Sequence, residues 1–178
     1  MKYFKKITGK SVYLSPMNTE DAEIYVKWLS DLSIAENLGN AVKTISVTGE
    51  KEWIEKNSHL CQYAIVKLET DELIGNCGFN DLNHIKQCGE VGLFIGDEEN
   101  RNKGYGTEAL KLLVSFGFDY LNLNNIMLKV FEFNERAIKC YKKVGFKEFG
   151  RRRQSYYLKG KYYDEIYMDI IRAERPSV

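Results

Sequence analysis

Proline and histidine are nearly absent from this chain, at two residues each in 178. Few prolines, no linker-like stretch and a 44% share of hydrophobic residues fit one compact domain with a proper core. His59 and His84, read as plain loop residues, are too few for a histidine-based triad or a histidine-rich metal site. The four cysteines, Cys61, Cys77, Cys88 and Cys140, form no Cys-x-x-Cys pair. Their spacing argues against a zinc site or a disulfide framework and for free, buried or half-buried thiols. No apolar run approaches the length that spans a bilayer, and the basic start Met1-Lys2-Tyr3-Phe4-Lys5-Lys6 lacks the apolar centre of a signal peptide. A cytoplasmic protein is therefore expected. Neither sign of charge is in excess, 26 basic against 25 acidic residues, so no global field recruits nucleic acid.

What is present reads as alternating short elements. Val12 to Leu14 suits a first strand, and Asn18 to Asp31 a helix with Asn18 or Thr19 as its cap and Ala22, Tyr25, Val26 and Leu29 on one face. Leu32 to Val47 has no clear period, and Thr48 to Asn57 predicts a second helix carrying Trp53 and Ile54. Gln62 to Leu68 and Leu73 to Phe79 flank the turn Glu69-Thr70-Asp71-Glu72 as a hairpin, and a third strand follows at Glu90 to Ile95. The back half reads strand, loop, helix, strand, helix and a closing tyrosine-rich hairpin from Tyr156 to Met168.

The most informative stretch is Arg101-Asn102-Lys103-Gly104-Tyr105-Gly106, between the strand Val91 to Ile95 and a helix with Ala109, Leu113, Phe116 and Tyr120 in register. A glycine-rich turn entering a helix leaves the first helical N–H groups free and lets a ligand approach the backbone, which makes it an anion cradle. The plain alternative is a tight turn before a helix. Gly104-x-Gly106-x-x-Ala109 also fits the loose dinucleotide fingerprint, and Glu132 stands after the next strand as a ribose-binding carboxylate would. Context excludes it, because hairpin-like sequence precedes the turn and no second strand-helix-strand unit follows. A phosphate-binding P-loop needs Gly-Lys followed by Ser or Thr, whereas Lys103 precedes its glycine.

Arg101-x-x-Gly104-x-Gly106 resembles the pyrophosphate-binding signature of the GNAT N-acetyltransferases. A second match follows in order: Asn134-x-x-Ala137-x-x-x-Tyr141-x-x-x-Gly145-Phe146 is similar to the family's Asn-x-x-Ala-x-x-x-Tyr-x-x-x-Gly-Phe. The likeness runs over nearly the whole chain and leans to the branch that acetylates ribosomal-protein N-termini and polyamines. It implies an α+β fold in one domain, residues 1–178, with a mixed, mostly antiparallel sheet splayed at its central strands and helices on both faces. It implies acetyl-CoA as donor and a primary amine as acceptor, on a protein N-terminus, a polyamine or another small amine. Partners then include the amine acceptor, a ribosomal protein and a second copy in a homodimer. An aminoglycoside or amino-sugar acetylase, and a non-catalytic CoA-binding sensor, are the alternatives.

The same resemblance implies site residues. The pyrophosphate would lie on the backbone N–H groups from Arg101 or Asn102 on through Lys103, Gly104, Tyr105, Gly106 and Thr107, with the pantetheine arm pairing like a strand beside Phe94 and Ile95, a position that suits it if the sheet splays after Phe94. Asn134 would contact the cofactor or simply cap its helix. Tyr141 would supply a proton to the departing thiolate, a phenol being protonated at neutral pH, or else be a core aromatic. Glu90 matches the place of the glutamate that deprotonates the amine in the histone-modifying branch; water and backbone carbonyls, or a plain sheet-edge charge, are the other readings. The helix-loop-helix before Gln62 would form one wall of the acceptor site, with Glu20, Asp31 and Glu36 as its acidic residues. Between Arg136 and Lys161 ten basic residues face Glu148 alone. They read as a solvated face first, a hold on an outlying cofactor phosphate second and a nucleic-acid contact third.

Overall fold

A computed structural model describes residues 2–175. The chain folds as two compact units: the first comprises residues up to Phe79 together with Leu93–Leu113, the second Asn80–Gly92 together with residues from Val114 on.

In the first unit, β1 (Ile7–Thr8), β2 (Val12–Pro16), β3 (Gln62–Lys67) and the start of β4 (Leu73–Asn83) lie in sequence order as an antiparallel ladder. The register sets Val12 opposite Lys67 and Leu14 opposite Ile65, and it slips at Ile65/Val66 in the β3–β4 ladder, where a bulge takes up one residue. The first helix begins one turn later than its cap suggests: Asn18 Oδ1 accepts from Glu20 N at 2.9 Å and opens a 3₁₀ turn, Thr19–Asp21, before α1 (Ala22–Ser30). Asp31 caps a four-residue helix, α2 (Leu32–Ala35), inside the stretch that lacks a period. Ser46 caps α3 (Val47–Asn57), Oγ accepting from Gly49 N at 3.0 Å.

The core of this unit gathers Tyr13, Tyr25, Trp28, Ile34, Ile54 and Val66. Trp28, which the expected helix face omits, is 2% exposed and meets Phe94 edge-on at 6.0 Å between centroids. Gly96 is required by this packing, since a Cβ there would lie 2.1 Å from the Trp28 ring. Truncating an indole so enclosed costs roughly 3–5 kcal/mol. Trp53 instead lies at the surface, and Glu50 is buried in its place beside Ile54.

In the second unit, the start of β5 (Cys88–Ile95), then β6 (Asn125–Phe131), β8 (Lys161–Ile171) and β7 (Lys147–Leu158) are hydrogen-bonded in that order. β5 and β6 are parallel, from Cys88 opposite Asn125 to Glu90 opposite Met127, and the other ladders are antiparallel. Ile126, Leu128 and Val130 of β6 and Ile166, Met168 and Ile170 of β8 are all buried, one face of each strand by the period of two. The closing hairpin turns at Lys159 (φ 48) and Gly160 (φ 85), both left-handed as a two-residue hairpin requires. A parallel pair needs a crossover, and α4 (Tyr105–Asp119) supplies it between β5 and β6 in the chain.

These strands and helices make the mixed, mostly antiparallel α+β fold that the sequence implies. Two expectations on α4 are corrected. Tyr120 lies past its last residue, 78% exposed, and stacks on Phe116 at 5.3 Å rather than facing the core. Ala109 and Leu113 are buried as expected, but they are joined by Leu110, Val114, Gly117 and Phe118 rather than by Phe116, which is only half-buried. Among the described residues, no helix is long and apolar enough to cross a membrane, and all four cysteines are free.

Candidate functional site

In the first unit the end of β5 and the turn after it carry most of the expected binding residues. Gly96 N donates to Ile74 O at 2.9 Å, and Gly75 lets β4 approach so closely that a Cβ there would sit 2.1 Å from Phe94 O. Within the second unit the parallel ladder of β5 with β6 runs from Cys88 to Glu90, four residues before the Phe94 splay point weighed from sequence. Phe94 and Ile95 are half-buried.

A 3₁₀ turn, Glu98–Asn100, then leads into Arg101, which is extended. Asn102 (φ 61) and Gly104 (φ 89) are left-handed, a region asparagine tolerates and glycine adopts at little cost. Nothing lies within 4 Å of where a Cβ on Gly104 would be, so the space beside its backbone is open. Gly106 differs: a Cβ there would make ordinary contact with Ile95 and Leu93, at 3.5 and 3.7 Å. The first helical bond of α4 runs from Glu108 N to Gly104 O at 2.9 Å. Helix geometry therefore leaves the N–H groups of Tyr105 and Gly106 without a carbonyl inside the helix. Asn102, Lys103 and Gly104 are exposed; Thr107 is half-buried.

Several groups hold this turn. Arg101 Nη2 donates to Gly96 O at 2.7 Å, bridging from the turn back to the end of β5. Asn100, 1% exposed, donates from Nδ2 to Glu72 Oε1 at 3.1 Å. Glu108, in the first turn of α4, accepts from Lys10 N and Ser11 N and so ties the β1–β2 turn to the helix. Among the described residues, Arg101 Nε and Asn100 Oδ1 are buried with no partner. None of these ties was expected from sequence; those of Glu72 with Asn100 and of Glu108 with Lys10 and Ser11 join segments whose contact depends on the fold.

In the second unit, α5 (Glu135–Val144) matches its sequence signals closely. Asn134 Oδ1 accepts from Ala137 N at 3.2 Å as the N-cap, and Gly145 (φ 112) ends the helix in the left-handed region. Tyr141 is 8% exposed, its ring 6.2 Å from that of Phe146. Burial pushes its phenol above the usual tyrosine value. Glu90 is half-buried on β5 and forms an ion pair with Lys129 of β6 at 2.9 Å. The carboxylate holds the ammonium of Lys129 above its ordinary range, chiefly through that hydrogen bond. Lys129 was missed in the sequence, since its place beside Glu90 follows only from the β5–β6 register.

The chain belongs to the acetyltransferase (GNAT) family, whose domain model matches residues 11–147. An uncharacterized N-acetyltransferase of Bacillus licheniformis is 29% identical over 167 residues, covering 90% of this chain and 93% of that protein. The spermidine N(1)-acetyltransferase of Escherichia coli (strain K12) is 35% identical over 94 residues, 53% of this chain and 50% of the other. Among solved structures, the spermidine N-acetyltransferase of Vibrio cholerae in complex with CoA and spermine superposes with a TM-score of 0.84 at 21% identity, over 93% of this chain and 98% of that one. The activity is that of an N-acetyltransferase with acetyl-CoA as donor. Two local features bear on an anion at this turn: open space beside the left-handed Gly104, and helical N–H groups of Tyr105 and Gly106 that the helix leaves without a carbonyl.

Proposed function

We propose that this protein transfers an acetyl group from acetyl-CoA to a primary amine, that of a polyamine, a protein N-terminus or another small amine, and that the whole chain serves as one acetyltransferase domain. The observation that carries the reading is the Arg101–Thr107 turn, with Gly104 left-handed under open space at the start of α4. The bound donor supplies an acetyl thioester, whose transfer forms a C–N bond, breaks the C–S bond, leaves a thiolate and requires the amine to lose a proton.

The backbone N–H groups from Asn102 to Thr107 hold the pyrophosphate at the positive end of α4; that of Arg101, expected among them, is instead donated to Glu98 O at 2.9 Å. The backbone of Phe94 and Ile95 pairs with the pantetheine amides, a role supported by the β5–β6 ladder, which runs from Cys88 to Glu90. Tyr141 donates from Oη to the thiolate. Because burial raises its phenol while an ordinary thiol sits near 8.5, the phenol keeps its proton and stabilises the sulfur charge through a strong hydrogen bond. Asn134 positions the start of α5, and with it Tyr141. Glu90 is the candidate acceptor for the amine's proton, on terms set by Lys129: the ammonium 2.9 Å away occupies the carboxylate and must yield it.

The test is release of free thiol from acetyl-CoA across a panel of polyamines, peptides with free N-termini and aminoglycosides. Release with polyamines or peptides supports the reading. Release with aminoglycosides alone moves the protein to the amino-sugar class, and CoA binding without release for any acceptor makes it a sensor.

A further inference from the structure

The turn proposed to hold the pyrophosphate is fastened at both ends to one ion pair. Lys67 closes β3 and Glu72 precedes β4, with Nζ and Oε2 2.8 Å apart. Each partner also reaches the turn. Glu72 Oε1 accepts from Nδ2 of Asn100, the residue immediately before Arg101. Lys67 Nζ stands over the ring of Tyr105, 5.8 Å from its centroid, at the first residue of α4. The support under the pair is firm, because Lys67 N donates to Glu72 O at 2.9 Å and Asp71 N to Lys67 O at 3.1 Å. Tyr13 Oη further pins the hairpin turn through Asp71 Oδ1 at 2.7 Å. Between the two fastened ends, Asn102, Lys103 and Gly104 are exposed, and two of the three are left-handed.

We propose that Lys67 and Glu72 are positioning residues for the cofactor turn: they fix Asn100 and Tyr105, and so set the backbone N–H groups between them before the donor arrives. The proposal rests on the reading that this turn binds the CoA pyrophosphate. Its physical content is preorganisation. An exposed stretch such as Asn102–Gly104, with two left-handed residues, must be ordered on binding unless something else orders it first, and that ordering lowers affinity. Glu72 is half-exposed, so its removal leaves the core of the unit intact.

The experiment is calorimetric titration of CoA into the wild type and single variants, with steady-state kinetics on the acceptor found active. Glu72→Ala should weaken CoA binding about tenfold and raise the KM for acetyl-CoA in step, while kcat at saturation stays within about twofold. Glu72→Gln, which keeps an oxygen for Asn100, should recover most of the affinity, and Lys67→Met should resemble Glu72→Ala. Tyr13→Phe loosens the same hairpin without touching the turn and should bind CoA as the wild type does. Wild-type affinity in Glu72→Ala, or an equal loss in Tyr13→Phe, overturns the positioning role. Gly104→Val separates the two layers: if it too binds normally, the pyrophosphate reading itself fails, whereas a loss there with none in Glu72→Ala removes only the positioning pair.

Discussion

Replacing Tyr141 by phenylalanine isolates one hydroxyl. The ring is 8% exposed and packs at 6.2 Å from Phe146, so the variant keeps the apolar contacts and the end of α5. Loss of a single hydrogen bond costs at most about 1.5 kcal/mol of stability. In a chain of this size that lowers the melting temperature by no more than about 6 °C. The catalytic effect should be larger. A donor lost from a group where charge develops is worth about 10²-fold or more in turnover, or roughly 2.7 kcal/mol of barrier. Burial raises the phenol, so its neutral form persists past the ordinary value near 10, and turnover should show no alkaline fall below about pH 10 from loss of this proton. Single-turnover kinetics at saturating acetyl-CoA, with CoA affinity measured in parallel, separates the contributions. Turnover at the wild-type rate would reduce Tyr141 to a core aromatic, and a loss of affinity with kcat intact would make it a binding residue.

Gly104→Val should cost about 1–3 kcal/mol of stability from its left-handed backbone and lose CoA affinity; a Cβ at Gly106 meets only ordinary contacts, so Gly106→Ala should fold like the wild type, as thermal denaturation will report. Glu90→Gln should lower turnover with CoA affinity unchanged, and Lys129→Met, by freeing the carboxylate, should raise it; wild-type turnover in Glu90→Gln assigns the proton to water or backbone. Burial raises the phenols of Tyr3, Tyr25, Tyr63 and Tyr141 above their unfolded value near 10. The stability they contribute is complete below about pH 10 and is lost as pH rises beyond it, because the unfolded chain ionises first. Absorbance titration should show the buried set ionising only with unfolding.

The parts of the fold legible in the sequence are those written in local chemistry. Asn134 and Gly145 mark the two ends of α5 because a cap and a left-handed stop depend on neighbours three and four residues away. The Arg101–Gly106 turn is legible for the same reason, and so are the flanks of the β3–β4 hairpin. The four-residue α2 is too short to show a period, and only its Asp31 cap signals it. The phase of α4 misled because Phe116 and Tyr120, four residues apart, satisfy each other by stacking at the surface. β7 carries register slips, one of them with Gln154 at φ 51, that no alternation could announce. At the candidate site, the hidden layer is the ties between distant segments: Lys129 on Glu90, Glu72 on Asn100 and Glu108 on the β1–β2 turn. Each needs the strand order before it can be inferred.

Acetyl transfer to nitrogen should depend on a donor held at the Arg101–Thr107 turn. Mass spectrometry of the acceptor after incubation with acetyl-CoA tests it most directly, run with the wild type and with folded Gly104→Val. One acetyl group is expected on the acceptor's primary amine with the wild type, and almost none with Gly104→Val at the same donor concentration. Equal acetylation by both proteins, or CoA bound by the wild type with no acceptor modified, would contradict this expectation.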